Sequence, residues 1–260
     1  MIKLLLVLFF TVQTFSQNTT LKGKLLDKET NKPIAFANIS FVNINNGISS
    51  NEDGLFFWEV DKKWLDEEIH ISCLNYKDTV VLAKQINNKV LKLYPKTYVL
   101  DEIVLQKKIQ KEFEIDAYTW SDFNSGFGTI KNRPWIVTKF FKYHTVYKNT
   151  PYLKKITIYT KNNKKSKSGK FRLRLYSLDT LENKPAKDLL TSQVIINAKK
   201  RKNKIEIDVS KYNIEIPESG FFVGFEWLYI AENFYKVKVF KNNHKKDKYK
   251  ETFISPHLKG

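Results

Sequence analysis

Apolar and polar residues change places at every second position in Phe171-Arg172-Leu173-Arg174-Leu175-Tyr176 and again in Ile205-Glu206-Ile207-Asp208-Val209. That period is the signature of a half-buried strand, with one face on a core and one face in water. Similar short runs recur along the chain, at 21–26, 34–42, 54–60, 69–74 and 90–93, and then at 136–146, 152–159, 170–177, 193–197, 204–209, 221–227 and 234–240. They are rich in β-branched and aromatic residues, and no long stretch carries a helical period. Residues 61–68 are the one segment that reads as a helical turn. The pattern predicts an all-β chain.

Turn chemistry supports this in the first part. Asn31-Lys32-Pro33 breaks the chain between two runs, while Asn45-Asn46-Gly47 and Asp53-Gly54 can each supply the positive φ of a tight hairpin. Strands at this spacing predict an antiparallel seven-stranded sandwich over 20–106. Residues 107–117 read as a charged linker. Seven or eight runs with no long helix then predict a second, jelly-roll-like sandwich over 118–255.

Residues 1–16 have the layout of a secretory signal peptide: a cationic start at Lys3, an apolar run at 4–10, and small residues ending at Ser16. The apolar run is too short to span a bilayer, and no later one is long enough. The expectation is export, to the periplasm, the outer-membrane surface or the medium. Cleavage would leave 244 residues, enough for two domains. With Cys73 as the one cysteine, no disulfide forms within the chain, and its alternating setting predicts a buried, inert thiol.

Charge divides the chain. Residues 17–106 carry 11 Lys against 12 Asp and Glu, and residues 107–260 carry 33 Lys and Arg against 15 Asp and Glu. A second half at +18 favours anionic partners. The same lysines also fit solvated turns, since the densest runs lie between apolar segments.

Four segments carry a resemblance: Leu21-Lys22-Gly23-Lys24-Leu25-Leu26-Asp27, Lys32-Pro33-Ile34-Ala35-Phe36-Ala37-Asn38-Ile39, Ser49-Ser50-Asn51-Glu52-Asp53-Gly54-Leu55-Phe56, and Tyr98-Val99-Leu100-Asp101-Glu102-Ile103-Val104-Leu105. Together they resemble the carboxypeptidase regulatory-like domain of Gram-negative envelope proteins. Ser50-Asn51 stands where that family has Thr-Asp, and Leu25 and Ile39 replace its valines. The resemblance implies a transthyretin-like or Ig-like sandwich of about seven strands that serves as an accessory or interaction module. It also implies structural roles: Gly23 and Gly54 for backbone geometry, and Leu25, Ile39, Phe41, Phe56 and Ile71 for the core. The second half is similar to the sandwich that often follows this domain, an arrangement like carbohydrate-binding jelly rolls, and no binding residue transfers from it.

Catalytic chemistry finds no motif. His70, His144, His244 and His257 have neither the H-E-x-x-H spacing nor a cysteine pair, so no metal site is legible. The nucleophile elbow and both glycine-rich phosphate loops are missing. The expectation is a non-enzyme without cofactor or metal. Glu206 and Asp208 fall on the wet side of their strand, whereas Glu226 lies inside the apolar run 221–228 and demands a lysine or arginine partner.

Aromatic residues are the better lead. Tyr118, Trp120, Phe123, Phe127 and Trp135 gather in the least regular segment, which makes Tyr118, Trp120, Phe123 and Trp135 candidate ligand-binding residues. Core filling is the competing use of such side chains. The expected function is a non-catalytic, exported envelope module that binds or scaffolds anionic glycan or an envelope protein. The alternative is an accessory component of a TonB-dependent uptake complex at the outer membrane. Nucleic acid is not an expected partner, membrane association is peripheral at most, and oligomeric state stays open.

Overall fold

The structure is a computed structural model that describes residues 18–96, 112–115, 117, 119–122, 135–162, 169–199, 201–241, 244–251 and 254–256. The expected signal segment, most of the linker, and Tyr118, Phe123 and Phe127 lie outside the described residues.

Seven strands build the first half: β1 (Asn18–Asp27), β2 (Asn38–Phe41), β3 (Gly47–Ser49), β4 (Leu55–Asp61), β5 (Glu68–Ser72), β6 (Thr79–Leu82) and β7 (Lys89–Leu93). One sheet runs β4–β1–β7 and the other β3–β2–β5–β6; β7 lies parallel to β1, where strand spacing alone predicts antiparallel pairing throughout. Leu21, Leu25, Phe56, Trp58 and Leu93 meet Ile39, Phe41, Ile69 and Ile71 between the sheets, so the five expected core residues are all buried. Residues 61–68 supply only a 3-10 turn, Lys62–Trp64, and the single α-helical turn described is Ala83–Ile86.

Both backbone-geometry expectations for glycine are met. A Cβ on Gly23 would lie 2.7 Å from the Lys89 carbonyl, and Gly54 has φ +72° with Leu25 O only 2.5 Å from where a Cβ would sit. Gly54 turns the chain from one sheet to the other instead of closing a hairpin, because β3 and β4 belong to different sheets. The β2–β3 hairpin forms at residues 42–46 without any positive φ. Its closure comes from the Phe41 N–H donating to the Asn46 carbonyl at 3.1 Å.

The second half contains β8 (Ile136–Phe141), β9 (Lys155–Asn162), β10 (Gly169–Asp179), β11 (Lys184–Asp188), β12 (Val194–Ala198), β13 (Arg201–Asp208), β14 (Phe221–Trp227), β15 (Phe234–Lys241), β16 (His244–Glu251) and β17 (Ile254–Pro256). One sheet has the order β11–β10–β14–β8, with β12 also paired to β10; a second is β13–β9–β17, and β15–β16 is a separate hairpin. Phe171, Leu173, Leu175, Phe225 and Trp227 on the first sheet pack on Ile156, Ile158 and Ile207 on the second. This is sheet-on-sheet burial, the all-β sandwich the alternation predicts.

Every residue of β14 is buried. Phe221, Val223, Phe225 and Trp227 face the core, which leaves Phe222, Gly224 and Glu226 on the opposite face. A strand covered on both sides reads as a continuous apolar run; on the second side Asn38 of the first sandwich reaches Glu226, while Phe140 of β8 lies against Phe222.

Candidate functional site

The polar centre of the molecule lies where the two sandwiches meet. Register puts Arg172 of β10 directly opposite Glu226 of β14. The alternation of β10 assigns Arg172 to a wet face, but Arg172 is only 1% exposed and Glu226 3%. The face is dry because the first sandwich sits on it. Asn38 of β2 donates to Glu226 Oε1 at 2.6 Å, and Arg172 Nη2 donates to the Phe36 carbonyl.

Every carboxylate oxygen in the cluster is occupied. Arg172 Nη1 reaches Oε1 and Oε2 of Glu226 at 3.0 and 3.1 Å. Arg174 Nη1 adds a bond to Oε2 at 3.1 Å, and its Nε and Nη2 hold Asp188 of β11 at 3.2 and 2.5 Å. Two arginines and two carboxylates thus cancel, with fork geometry that lysine does not provide. Arg172 Nε is the one buried donor of the set that finds no partner.

The ionisation behaviour follows. Burial pushes Glu226 upward, yet Arg172, Arg174 and the Asn38 amide outweigh it and hold the carboxyl below its ordinary value. For Asp188, burial wins over Arg174 and the value rises. Burial lifts Tyr176, beside the Arg174 guanidinium at 5.1 Å, to about 12. Burial also lifts the Cys73 thiol to about 11, which keeps it protonated and unreactive.

Local structure in the first sandwich prepares this contact. Phe36 has φ +57°, a left-handed conformation that is unfavourable for a bulky residue. Ser50 pins it: the Phe36 N–H donates to the Ser50 carbonyl at 3.1 Å, the Ala37 N–H to Ser50 Oγ at 2.9 Å, and Ser50 Oγ to the Ile34 carbonyl at 2.9 Å. The turn aims the Phe36 carbonyl at Arg172 and its ring at Leu228 and Ile230. Around the rim, Gln193 Nε2 donates to the Ala35 carbonyl and lies 3.1 Å from Cys73 Sγ, Ser49 N donates to the Tyr229 carbonyl at 3.0 Å, and Lys170 pairs with Glu52 at 2.6 Å.

The cluster is a fastening, not an exposed reactive centre, because each anionic oxygen already accepts from arginine or asparagine. Among the described residues, no group of three or more His, Cys, Asp and Glu side chains is arranged to hold a metal. Also among them, no helix is long and apolar enough to cross a membrane.

The aromatic candidates lie elsewhere. Trp120 is half-buried and meets Tyr159 edge-on at 5.3 Å, while Trp135 stacks on Phe225 at 6.4 Å and packs on the second core. They touch different sheets, β9 and β14. Glu206 and Asp208 are exposed as expected, Glu206 pairing with Lys155 and Lys204 and Asp208 accepting from Ser210. Glu226 finds the arginine partners its burial demands. Sequence reasoning missed Asn38, Phe36 and Asp188, and the available signal was the opposition of Arg172 to Glu226 once β10 and β14 are aligned.

No curated protein matches the chain. Residues 21–105 match the family model of the CarboxypepD_reg-like domain, and the first sandwich is therefore a domain of that kind.

Proposed function

We propose that this protein is an exported, non-catalytic binding or scaffolding module of a Gram-negative envelope that engages envelope glycan or a protein partner. The observation that carries the reading is the saturated Arg172–Glu226–Arg174–Asp188 cluster: it spends the buried ionic groups on fixing the two sandwiches to each other. The CarboxypepD_reg-like domain supports it, as a non-catalytic Ig-like fold compatible with such a role. Charge supports it too, because residues 107–260 carry the whole excess of +18 and the first sandwich is near neutral.

The test is an unbiased pull-down from envelope extract with the full chain, run beside a glycan array. Specific, saturable retention of one protein or one anionic glycan class is the expected result. Turnover of an envelope substrate with no stable complex would overturn it. A second reading, an accessory of an outer-membrane uptake complex, draws on the family match reaching residue 105 through the tail at 98–105. Co-purification with a TonB-dependent receptor supports that reading, and its absence from a receptor-rich extract refutes it.

A further inference from the structure

The outer face of the β4–β1–β7 sheet is open to solvent. Leu21, Leu25, Phe56, Trp58 and Leu93 point into the first core, so the positions between them point outward. Phe57 and Val90 are 61% and 58% exposed there. Register sets Lys22 directly beside Phe57 and Lys24 beside Val90. The Lys28 N–H donates to the Leu93 carbonyl at 2.9 Å, which carries the pairing one step past the strand ends. That step brings Lys28 Nζ to 5.6 Å from the ring centre of Tyr94, itself 54% exposed. Asn38 and Ser49, which meet the second sandwich, belong to the other sheet.

Four lysines stand on this face, Lys22, Lys24, Lys28 and Lys92. Among the described residues none of them pairs with a carboxylate: Lys92 donates to the Asn31 amide oxygen at 2.7 Å, and Lys28 lies over Tyr94. Of the acids on the face, Asp61 pairs with Lys63 at 3.1 Å, and Glu59 lies beyond Phe57, opposite Thr20. The near-neutral first sandwich therefore keeps a positive strip between two open aromatic rings.

The spacing of that strip chooses its occupant. Phe57 and Tyr94 stand about 22 Å apart, from the rise between Lys22 and Lys28 at about 3.3 Å per residue and two strand spacings of about 4.8 Å. Lysines fill the interval. The centre of a protein interface is instead apolar and poor in lysine, over about 800 Å² on each partner. A membrane anchor gathers its apolar side chains on one side, apart from its cations. A row of acidic sugar rings matches: their C–H faces stack on aromatic faces, and their carboxylates meet the ammonium groups between.

We propose that the outer face of the β4–β1–β7 sheet binds an extended uronate-bearing polysaccharide, with sugar rings on Phe57 and Tyr94 and carboxylates on the lysines between them. The inference rests on the binding role above and narrows it to an acidic glycan held by the first sandwich.

The probes are fluorescent oligogalacturonate, oligoalginate and hyaluronate chains, titrated into the full chain and read by anisotropy. Methyl-esterified oligogalacturonate is the neutral control, and phosphatidylglycerol vesicles are the membrane control. The expected result is saturable binding of at least one acidic chain, with the ester and the matching disaccharide competing poorly. Phe57→Ala and Tyr94→Ala each weaken binding about fivefold, the scale of an aromatic contact. Lys24→Gln combined with Lys92→Gln weakens it and flattens its salt dependence. All four side chains lie on the outer face, so the variants keep the buried Trp58 fluorescence of the parent. Should an alanine variant lose that signal, Phe57→Leu or Tyr94→Leu replaces it with the same expectation. Unchanged affinity in the aromatic or the lysine variants, or equal binding of the ester, overturns the proposal. Vesicle binding that these variants abolish, with no chain retained, overturns it in favour of a membrane surface. Failure of every acidic chain with a pulled-down protein partner retained sinks this site alone; loss of all binding sinks the binding role as well.

Discussion

Replacing Arg172 with alanine removes one partner from a buried charge cluster. Three contacts vanish at once: two to the Glu226 carboxylate and one to the Phe36 carbonyl. Stranding a buried charge in this way costs about 3–5 kcal/mol. Arg174 and Asn38 still donate to Glu226, so the loss falls near the lower end, about 3 kcal/mol. At about 1.4 kcal/mol per factor of ten, the folded-to-unfolded ratio drops roughly a hundredfold. With a urea m-value of about 2–3 kcal/mol/M, the midpoint falls by about 1–1.5 M. Urea titration followed by tryptophan fluorescence measures this, since Trp58 and Trp227 are buried in the two separate cores. The double variant Arg172→Met with Glu226→Leu removes both charges and recovers more than half of the loss, because apolar residues replace a buried pair at little cost. A midpoint shift under 0.3 M for Arg172→Ala, about a quarter of that expected from the buried-pair cost, would refute the reasoning.

Glu226 sits below its ordinary value of 4.5, so its contribution is complete above that pH and disappears as the pH falls through the folded-state value. Asp188 is raised and acts in the opposite sense, losing stability as pH rises from 3.8 through its folded value; Glu226→Gln therefore flattens the acid limb of a stability-against-pH curve, and an unchanged limb contradicts the assignment. Ser50→Ala leaves the Ala37 N–H without its acceptor and the Ile34 carbonyl without its donor, a loss of about 1–3 kcal/mol by thermal or urea unfolding, with under 0.5 contradicting it. Gly54→Ala forces a side chain into φ +72° against Leu25 O and destabilises by more than about 1 kcal/mol. Trp135→Ala costs about 2–3 kcal/mol because the ring packs on the core, and Trp120→Ala about 1, so a neutral Trp135 variant that loses partner binding would return that residue to the recognition surface.

The fold class was legible because its signal is local. Period-2 runs and turn residues report strands directly, and the family motifs placed Gly23, Gly54, Leu25 and Phe56 where the first sandwich uses them. Strand β11 escaped because Lys184-Pro185-Ala186-Lys187-Asp188 has almost nothing apolar to alternate, and it forms only by pairing with the end of β10. The junction escaped for a different reason. Alternation tells which face of β10 carries Arg172 but not what lies over it, and the groups that do, Phe36 and Asn38, are 136 and 188 residues from their partners. Glu226 was readable as a residue needing a cation because the demand arises in its own apolar run.

The central claim is that the cluster makes one cooperative body of the two sandwiches, and Cys73, buried beside Gln193 at their contact, reports on it. Thiol labelling of Cys73 across low urea, at a pH well below about 11 where the buried thiol stays protonated, measures the free energy of exposing that contact. The account predicts an exposure free energy within about 1 kcal/mol of global unfolding. Labelling several kcal/mol more easily, with both tryptophan cores still folded, would show that the sandwiches part on their own and would contradict it.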